Sequence, residues 1–174
     1  MTTLFVVAFV APAGDLPEGW AKLSAPGEGF NVTLPSGHKR QIMNDKGPDD
    51  RPVKLTFFRA TKDDVTYIVG ISEFSKEYMS QPAKTLFDNA RDGSIARSGG
   101  KLIRDKDIKL GKYEGREVVT EAGKGAGFVR ARVFIANGRQ YSAMVAGKKE
   151  TDVESEDALR FLDSFRLVKI RAPK

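Results

Sequence analysis

The dipeptide Asn137-Gly138 stands between two alternating runs, Phe128 to Ile135 and Gln140 to Ala146, and constrains the fold more than any other feature of the chain. Both central positions of a two-residue type I′ turn need positive φ, which asparagine and glycine adopt at little cost. A turn there sets the register. Ala136 pairs with Arg139, Phe134 opposes Tyr141, Arg132 opposes Ala143 and Arg130 opposes Val145 on one face. The other face carries Ile135 with Gln140, Val133 with Ser142, Ala131 with Met144 and Val129 with Ala146. Neither face is uniformly polar, so the hairpin predicts an antiparallel sheet covered on both sides, a three-layer sandwich in preference to a barrel.

The rest of the chain supplies strands and two helices for that sheet. Phe30 to Leu34 alternates apolar and polar residues before Pro35, and Val53, Leu55 and Phe57 repeat the pattern. Turn-forming Thr61 to Asp64 then leads into Val65 to Ser72, which predicts a hairpin. The period changes at Ala83, Leu86, Phe87 and Ala90, spaced i, i+3, i+4 and i+7. With Ser80 as N-cap, Pro82 in the first turn and Gly99-Gly100 as the stop, this reads as a helix of about four turns. Its apolar stripe is narrow and needs a sheet to lie on.

Leu102 to Asp105 and Arg116 to Glu121 read as strands that precede the Asn137-Gly138 hairpin. A second helix is expected from the capping box Thr151-x-x-Glu154, with Ala158, Phe161, Leu162 and Phe165 on one stripe. Asp152, Glu154, Glu156 and Asp157 near its start and Arg160 later suit the helix dipole. Leu167 to Ile170 reads as a last strand before a basic tail. The expected order is four strands, helix, four strands, helix, strand, an α+β fold with a central antiparallel sheet flanked by helices on both faces.

At 174 residues, with 40% hydrophobic and 30% charged side chains, the chain has the composition of a soluble globule large enough to bury one core. Residues 14–174 are read as a single domain. Before them, an apolar run from Leu4 to Val10 is followed by Ala11-Pro12-Ala13, the small-residue pattern of a secretory leader cleaved after Ala13. Residues 1–13 are therefore read as a signal peptide, and export to the periplasm, envelope or medium is expected. The basic residues of a leader are missing, so either its start lies upstream or the run is a buried first strand, whose pairing Pro12, Gly14 and Pro17 would soon break. The run is far shorter than the ~20 residues of a membrane span, so no transmembrane anchor is expected.

The chain has no cysteine, which excludes disulfides, zinc ribbons, iron–sulfur clusters and thiol nucleophiles. One histidine, His38, excludes most catalytic triads and most histidine-rich metal sites. In Ser36 to Arg40 it reads as a surface-loop residue, not as a base or ligand. Gly123 to Gly127 lacks the spacing of a phosphate loop and leads into a strand where a nucleotide loop needs a helix, so it reads as a hairpin loop. Asp49-Asp50, Asp63-Asp64 and Asp105 with Asp107 match no calcium loop and sit in turn-rich settings. The sequon Asn31-Val-Thr33 lies inside a strand pattern. No catalytic, metal or cofactor residue is assigned, although a carboxylate pair brought together only in space would be invisible to this reading.

The charge balance is more informative. Twenty-nine basic against 23 acidic residues leave +6, enough to favour anionic partners. Arg130, Arg132 and Arg139 share one face of the predicted hairpin, and Arg166, Lys169 and Arg171 lie in the tail, so these six are the candidate contacts for an anion or partner, against the plainer reading of a dispersed basic surface. Phe134 and Tyr141 beside Arg132 read as cross-strand packing, and no nucleic-acid motif is present.

The segments GFNVTLP at 29–35, NGRQY at 137–141, Ala146-Gly147 and ALRFLDSF at 158–165 resemble the PsbP-like family. With Trp20 opening the similar region, the chain also looks like a group of exported bacterial domains of unknown function. The resemblance runs from Trp20 to Val168 and implies a sheet flanked by helices. Its members are mostly non-enzymatic, either luminal photosystem II subunits or, in the related Ran-binding fold, protein-binding modules. No catalytic residue lies at the resembling positions.

The expectation is thus a monomeric, non-catalytic exported domain that binds a protein or an anionic envelope polymer through its sheet edge or basic loops. A polyanion binder and a carboxylate-based hydrolase are the alternatives.

Overall fold

The computed structural model describes residues 16–170; the expected leader and Arg171 lie outside them. In chain order the elements are β1 (Trp20–Ala25), β2 (Phe30–Pro35), β3 (Lys39–Lys46), β4 (Pro52–Lys62), β5 (Val65–Glu73), α1 (Lys76–Met79), α2 (Ala83–Ser98), β6 (Lys101–Leu110), β7 (Tyr113–Ala122), β8 (Gly127–Ala136), β9 (Arg139–Gly147), α3 (Glu150–Glu154), α4 (Glu156–Ser164) and β10 (Arg166–Leu167). Seven strands form an antiparallel sheet in the order β3-β4-β5-β9-β8-β7-β6, and β1-β2-β10 form a small second sheet. Five strands, not four, precede α2.

The Asn137-Gly138 turn is present, with φ of 53° and 70°, and the β8–β9 register is the expected one, with Phe134 opposite Tyr141 and Arg130 opposite Val145. Asp63 and Asp64 also have positive φ, which closes the β4–β5 hairpin. The two faces of the large sheet are covered differently. On one lies the main core, where Tyr67, Val69 and Ile71 of β5 and Tyr141, Ala143 and Val145 of β9 meet Phe161 and Leu162 of α4 and Phe30 and Leu34 of the small sheet. On the other lie α1 and α2, with Leu86 and Phe87 buried.

Three local expectations are corrected. Ser80 does not cap α2. It ends the short helix α1, while Pro82 stands at the N-cap of α2 without a side-chain bond. The carboxy-terminal helix is broken at Ser155, whose ψ of 162° interrupts it and whose hydroxyl accepts from the Ala158 amide to start α4. Thr151 does not open α3; the Asp152 carboxylate accepts from the Lys149 amide one turn earlier. The expected stripe survives, since Ala158, Phe161, Leu162 and Phe165 are all buried. His38 lies in the loop between β2 and β3, its ring 6.2 Å from that of Phe58.

Candidate functional site

The side chains with the most concentrated charge are set by β6, β7 and β8. Cross-strand pairing puts Lys106, Glu117 and Arg132 in one row, and Arg104, Val119 and Arg130 in the next. These rows face the helices α3 and α4. The Glu117 carboxylate is fully buried and accepts from Arg130 Nη2 at 3.1 and 3.0 Å and from Arg132 Nε at 2.7 Å, with Lys106 Nζ at 3.0 Å. Arg130 Nη1 donates to Glu154 of α3 at 2.6 Å, and Arg132 Nη1 donates to Asp163 of α4 at 2.6 Å. The row therefore fastens both helices to the sheet.

Burial pushes the Glu117 carboxyl up, but the hydrogen bonds from Arg132, Lys106 and Arg130 outweigh it and hold it at about 2. A carboxylate held so low stays ionised at any physiological pH and has no proton to give, so it is poorly matched to general acid or base work. On the opposite face Arg116 reaches Asp88 at 2.8 Å, Asp105 at 3.2 Å and Asp107 at 3.2 Å, and Arg91 reaches Asp105 at 2.8 Å. No group of three or more metal-ligating side chains occurs among the described residues.

The six expected contact residues are thereby separated. Arg130 is buried and Arg132 largely so, and both are committed to Glu117 and to acids of α3 and α4. Arg139 reaches Glu73 at 3.1 Å. These three do not form a free basic face, because acids from β7, β5 and the helices fill it. Arg166 and Lys169 are exposed, and Arg166 donates to the carbonyls of Asp163 and Phe165. The other singled-out residues have local roles: Asp49 accepts from Ser75 at 2.6 Å, and Asn31 accepts from Ser24 at 2.9 Å. Phe134 stacks on Phe165, and the Tyr141 hydroxyl donates to the Glu28 carbonyl at 3.0 Å.

Two surfaces remain that are not spent internally. The first is the outer edge of β3. All eight of its residues are exposed, Ile42 by 48% and Met43 by 43%, and it pairs only with β4, without a register shift. The opposite edge, β6, is protected: it carries Lys101, Arg104, Asp105, Lys106, Asp107 and Lys109, and a bulge between Leu102 and Arg104 interrupts it. Charge and bulges are how edge strands avoid unwanted pairing. The middle of β3, Gln41 to Asn44, has neither.

The second surface is an end of the sheet where three loops meet. A methyl group on Gly123 would lie 2.3 Å from the Gly99 carbonyl, and one on Gly127 would lie 2.3 Å from the Gly147 carbonyl, so these loops touch through backbone. They carry Lys124, Lys148 and Lys149, all exposed and, among the described residues, outside every ion pair.

The layers have a PsbP-like α+β fold. The chain is similar to the solution structure of cyanobacterial PsbP (CyanoP) from Synechocystis sp. PCC 6803, with a TM-score of 0.58 at 15% identity, over 90% of this chain and 99% of that one. No family model matches the sequence, and no curated protein matches it. Among the described residues no helix is long and apolar enough to cross a membrane.

Proposed function

We propose that this chain is a non-catalytic, exported binding module that captures a protein partner by pairing an extended segment of it along β3. The carrying observation is the contrast between the two edges: on β6 a bulge interrupts the ladder beside the exposed Leu102 and Ile103, while β3 is a regular ladder of eight exposed residues whose middle four, Gln41 to Asn44, carry no charge. Strand addition takes affinity from main-chain hydrogen bonds and selectivity from alternate side chains. Ile42 and Met43 lie on opposite faces of the sheet, so an incoming strand meets one apolar contact on each face. Lys39 at one end and Lys46 at the other favour a segment with an apolar centre and acidic flanks, while Arg40 is held by Glu28.

The test is affinity capture from the cell-envelope fraction, with hydrogen exchange on the captured complex. Protection of the Lys39–Lys46 amides is expected, together with a loss of capture of about tenfold or more in the Ile42→Lys, Met43→Lys double variant. Exposed substitutions of this kind change stability by only about 0.5 kcal/mol, so the variant stays folded. Undiminished capture by the variant would sink the reading. So would a concentration-dependent dimer that the same two substitutions abolish, since β3 would then pair with a second copy. Amino-terminal sequencing of the mature protein checks export, with Gly14 the expected first residue.

A second reading rests on the three loops. Lys124, Lys148 and Lys149 form a basic end suited to an anionic polymer of the envelope. Retention on heparin would then fall steeply between low and physiological salt, as released counterions dictate. It would also fall in the triple glutamate variant of those lysines.

A further inference from the structure

The face of the large sheet beneath α2 is only partly covered. α2 buries Leu86 and Phe87 against β7 and β8, while Leu55, Phe57, Val129, Ala131 and Met144 of that face stay half-buried. Beside the helix, bounded by Gly47-Pro48 and by Phe74 and Tyr78, runs a cleft of about 470 Å³. Its helix wall is set back because Ala90, Gly93 and Ser94 bring little bulk. A methyl group placed on Gly93 meets nothing within 4 Å.

Shape and chemistry restrict the occupant. The floor runs from Val129 to the level of Gln140, which lies opposite Ile135. Six residues at ~3.3 Å each make the floor about 20 Å long in the strand direction, and the whole cleft holds about 470 Å³. An α-helix is at least ~10 Å across, and this volume would hold about one turn of it, so a docking helix does not fit. A single extended hydrocarbon chain does.

Polar groups stand at the two ends. At one, Ser72 faces Gln140 across β5 and β9, and Ser142 has only a 3.5 Å contact with the Gly70 carbonyl. At the other, beside Thr120, lies Arg97 in the last turn of α2, exposed and, among the described residues, without a carboxylate partner. The neighbouring guanidiniums Arg91 and Arg116 are held by Asp88, Asp92, Asp105 and Asp107. Two lining cations are then outside the ion pairs among the described residues, Lys46 and Arg97. Lys46 has the Asp45 carboxylate next to it in the wall, which leaves Arg97 as the better placed for an incoming anion. An apolar pocket with a few placed polar groups is the usual form of a small-molecule site.

From this geometry we infer that the cleft beneath α2 binds a single-chain amphiphile, an acyl chain with an anionic head group, with the head at Arg97 and the chain lying over Ala131, Met144 and Phe57. The cleft meets β3 only at that strand's end, where Asp45 and Lys46 line its wall, and it does not include Ile42, Met43 or the basic loop lysines. The two variants below leave β3 unchanged, so the cleft's fate is read apart from theirs. Free fatty acid and the acyl chain of a monoacyl phospholipid share this chemistry, and the probes below distinguish them.

The test is direct binding of palmitate, hexadecanol and lysophosphatidylglycerol to the full chain by calorimetry, with two variants. Gly93→Leu fills the cleft from the helix side, and because it removes a helix-interior glycine it keeps the fold intact. It is expected to weaken all binding about tenfold or more with no fall in melting temperature. Arg97→Gln is expected to weaken the anionic probes about fivefold while leaving hexadecanol unchanged. A preference for palmitate identifies free acid as the class, and a preference for lysophosphatidylglycerol identifies lipid. No binding of any probe to the wild-type chain, or binding that Gly93→Leu leaves intact, would overturn the inference.

Discussion

Replacing Glu117 with glutamine is expected to destabilise the protein by about 3–5 kcal/mol, the cost of breaking a buried ion pair from one side. Glu117 is the hub of its row: Arg130, Arg132 and Lys106 converge on it, and its carboxylate is fully buried. Arg132 would keep Asp163 and Arg130 would keep Glu154, but Arg130 Nη2 would lose its carboxylate inside the protein. Urea unfolding measures the loss. A triple replacement, Glu117→Met with Arg130→Met and Arg132→Leu, is expected to recover much of it, because an apolar set of similar volume removes the stranded charge. If the single variant unfolds at the wild-type urea concentration, the row is not holding α3 and α4 to the sheet.

The same residue predicts a pH dependence. The carboxyl lies at about 2 in the folded protein against an ordinary 4.5, so the folded state favours the ionised form. A depressed carboxylate contributes stability that is fully present above its unfolded value and is lost as pH falls toward the folded one. The window therefore runs from about pH 5 down to pH 2, and at ~1.36 kcal/mol per unit the loss from this group is roughly 3 kcal/mol. Wild type and Glu117→Gln should accordingly converge in stability as the solution is acidified. Parallel curves would show that Glu117 titrates alike in both states.

What the sequence disclosed and what it hid divide along physical lines. The β8–β9 register was readable because a two-residue turn with demanding φ values fixes pairing locally. The stripes of α2 and α4 were readable because periodicity reports which side is buried. β3 left no such mark: Lys39 to Lys46 is exposed on both faces, so nothing selects alternating residues. The commitment of Arg130 and Arg132 was hidden because their partners come from β7, α3 and α4, whose placement beside β8 is a long-range result of topology. The cleft was hidden for a related reason. It exists where side chains are small or absent, at Gly93 and Ala90, and the trace it left was the narrow apolar stripe of α2. PsbP-like architecture, by contrast, was legible from short apolar segments, since those segments are the core.

Phe165→Ala is expected to cost about 3–5 kcal/mol, the usual range for deleting a buried phenylalanine ring. Phe165 ends α4 at the point where the chain turns into β10, and only 1% of it is exposed. Its ring stacks on Phe30 of the small sheet at 5.8 Å and on Phe134 of the large sheet at 5.9 Å, so one side chain joins helix and both sheets. Removing it leaves a void between layers that cannot close without moving β10 away from Phe30 and Asn31. The informative comparison is Phe57→Ala, on the floor of the cleft across the same sheet, where a half-buried ring should cost only about 1 kcal/mol. A large loss for Phe165 with a small one for Phe57, read from urea unfolding of the two variants, would mean that the α3 and α4 side carries the stability. The α2 side would then be free to admit a ligand. Equal losses would mean that the face beneath α2 is packed as tightly as the core, and the cleft would have no room for an acyl chain.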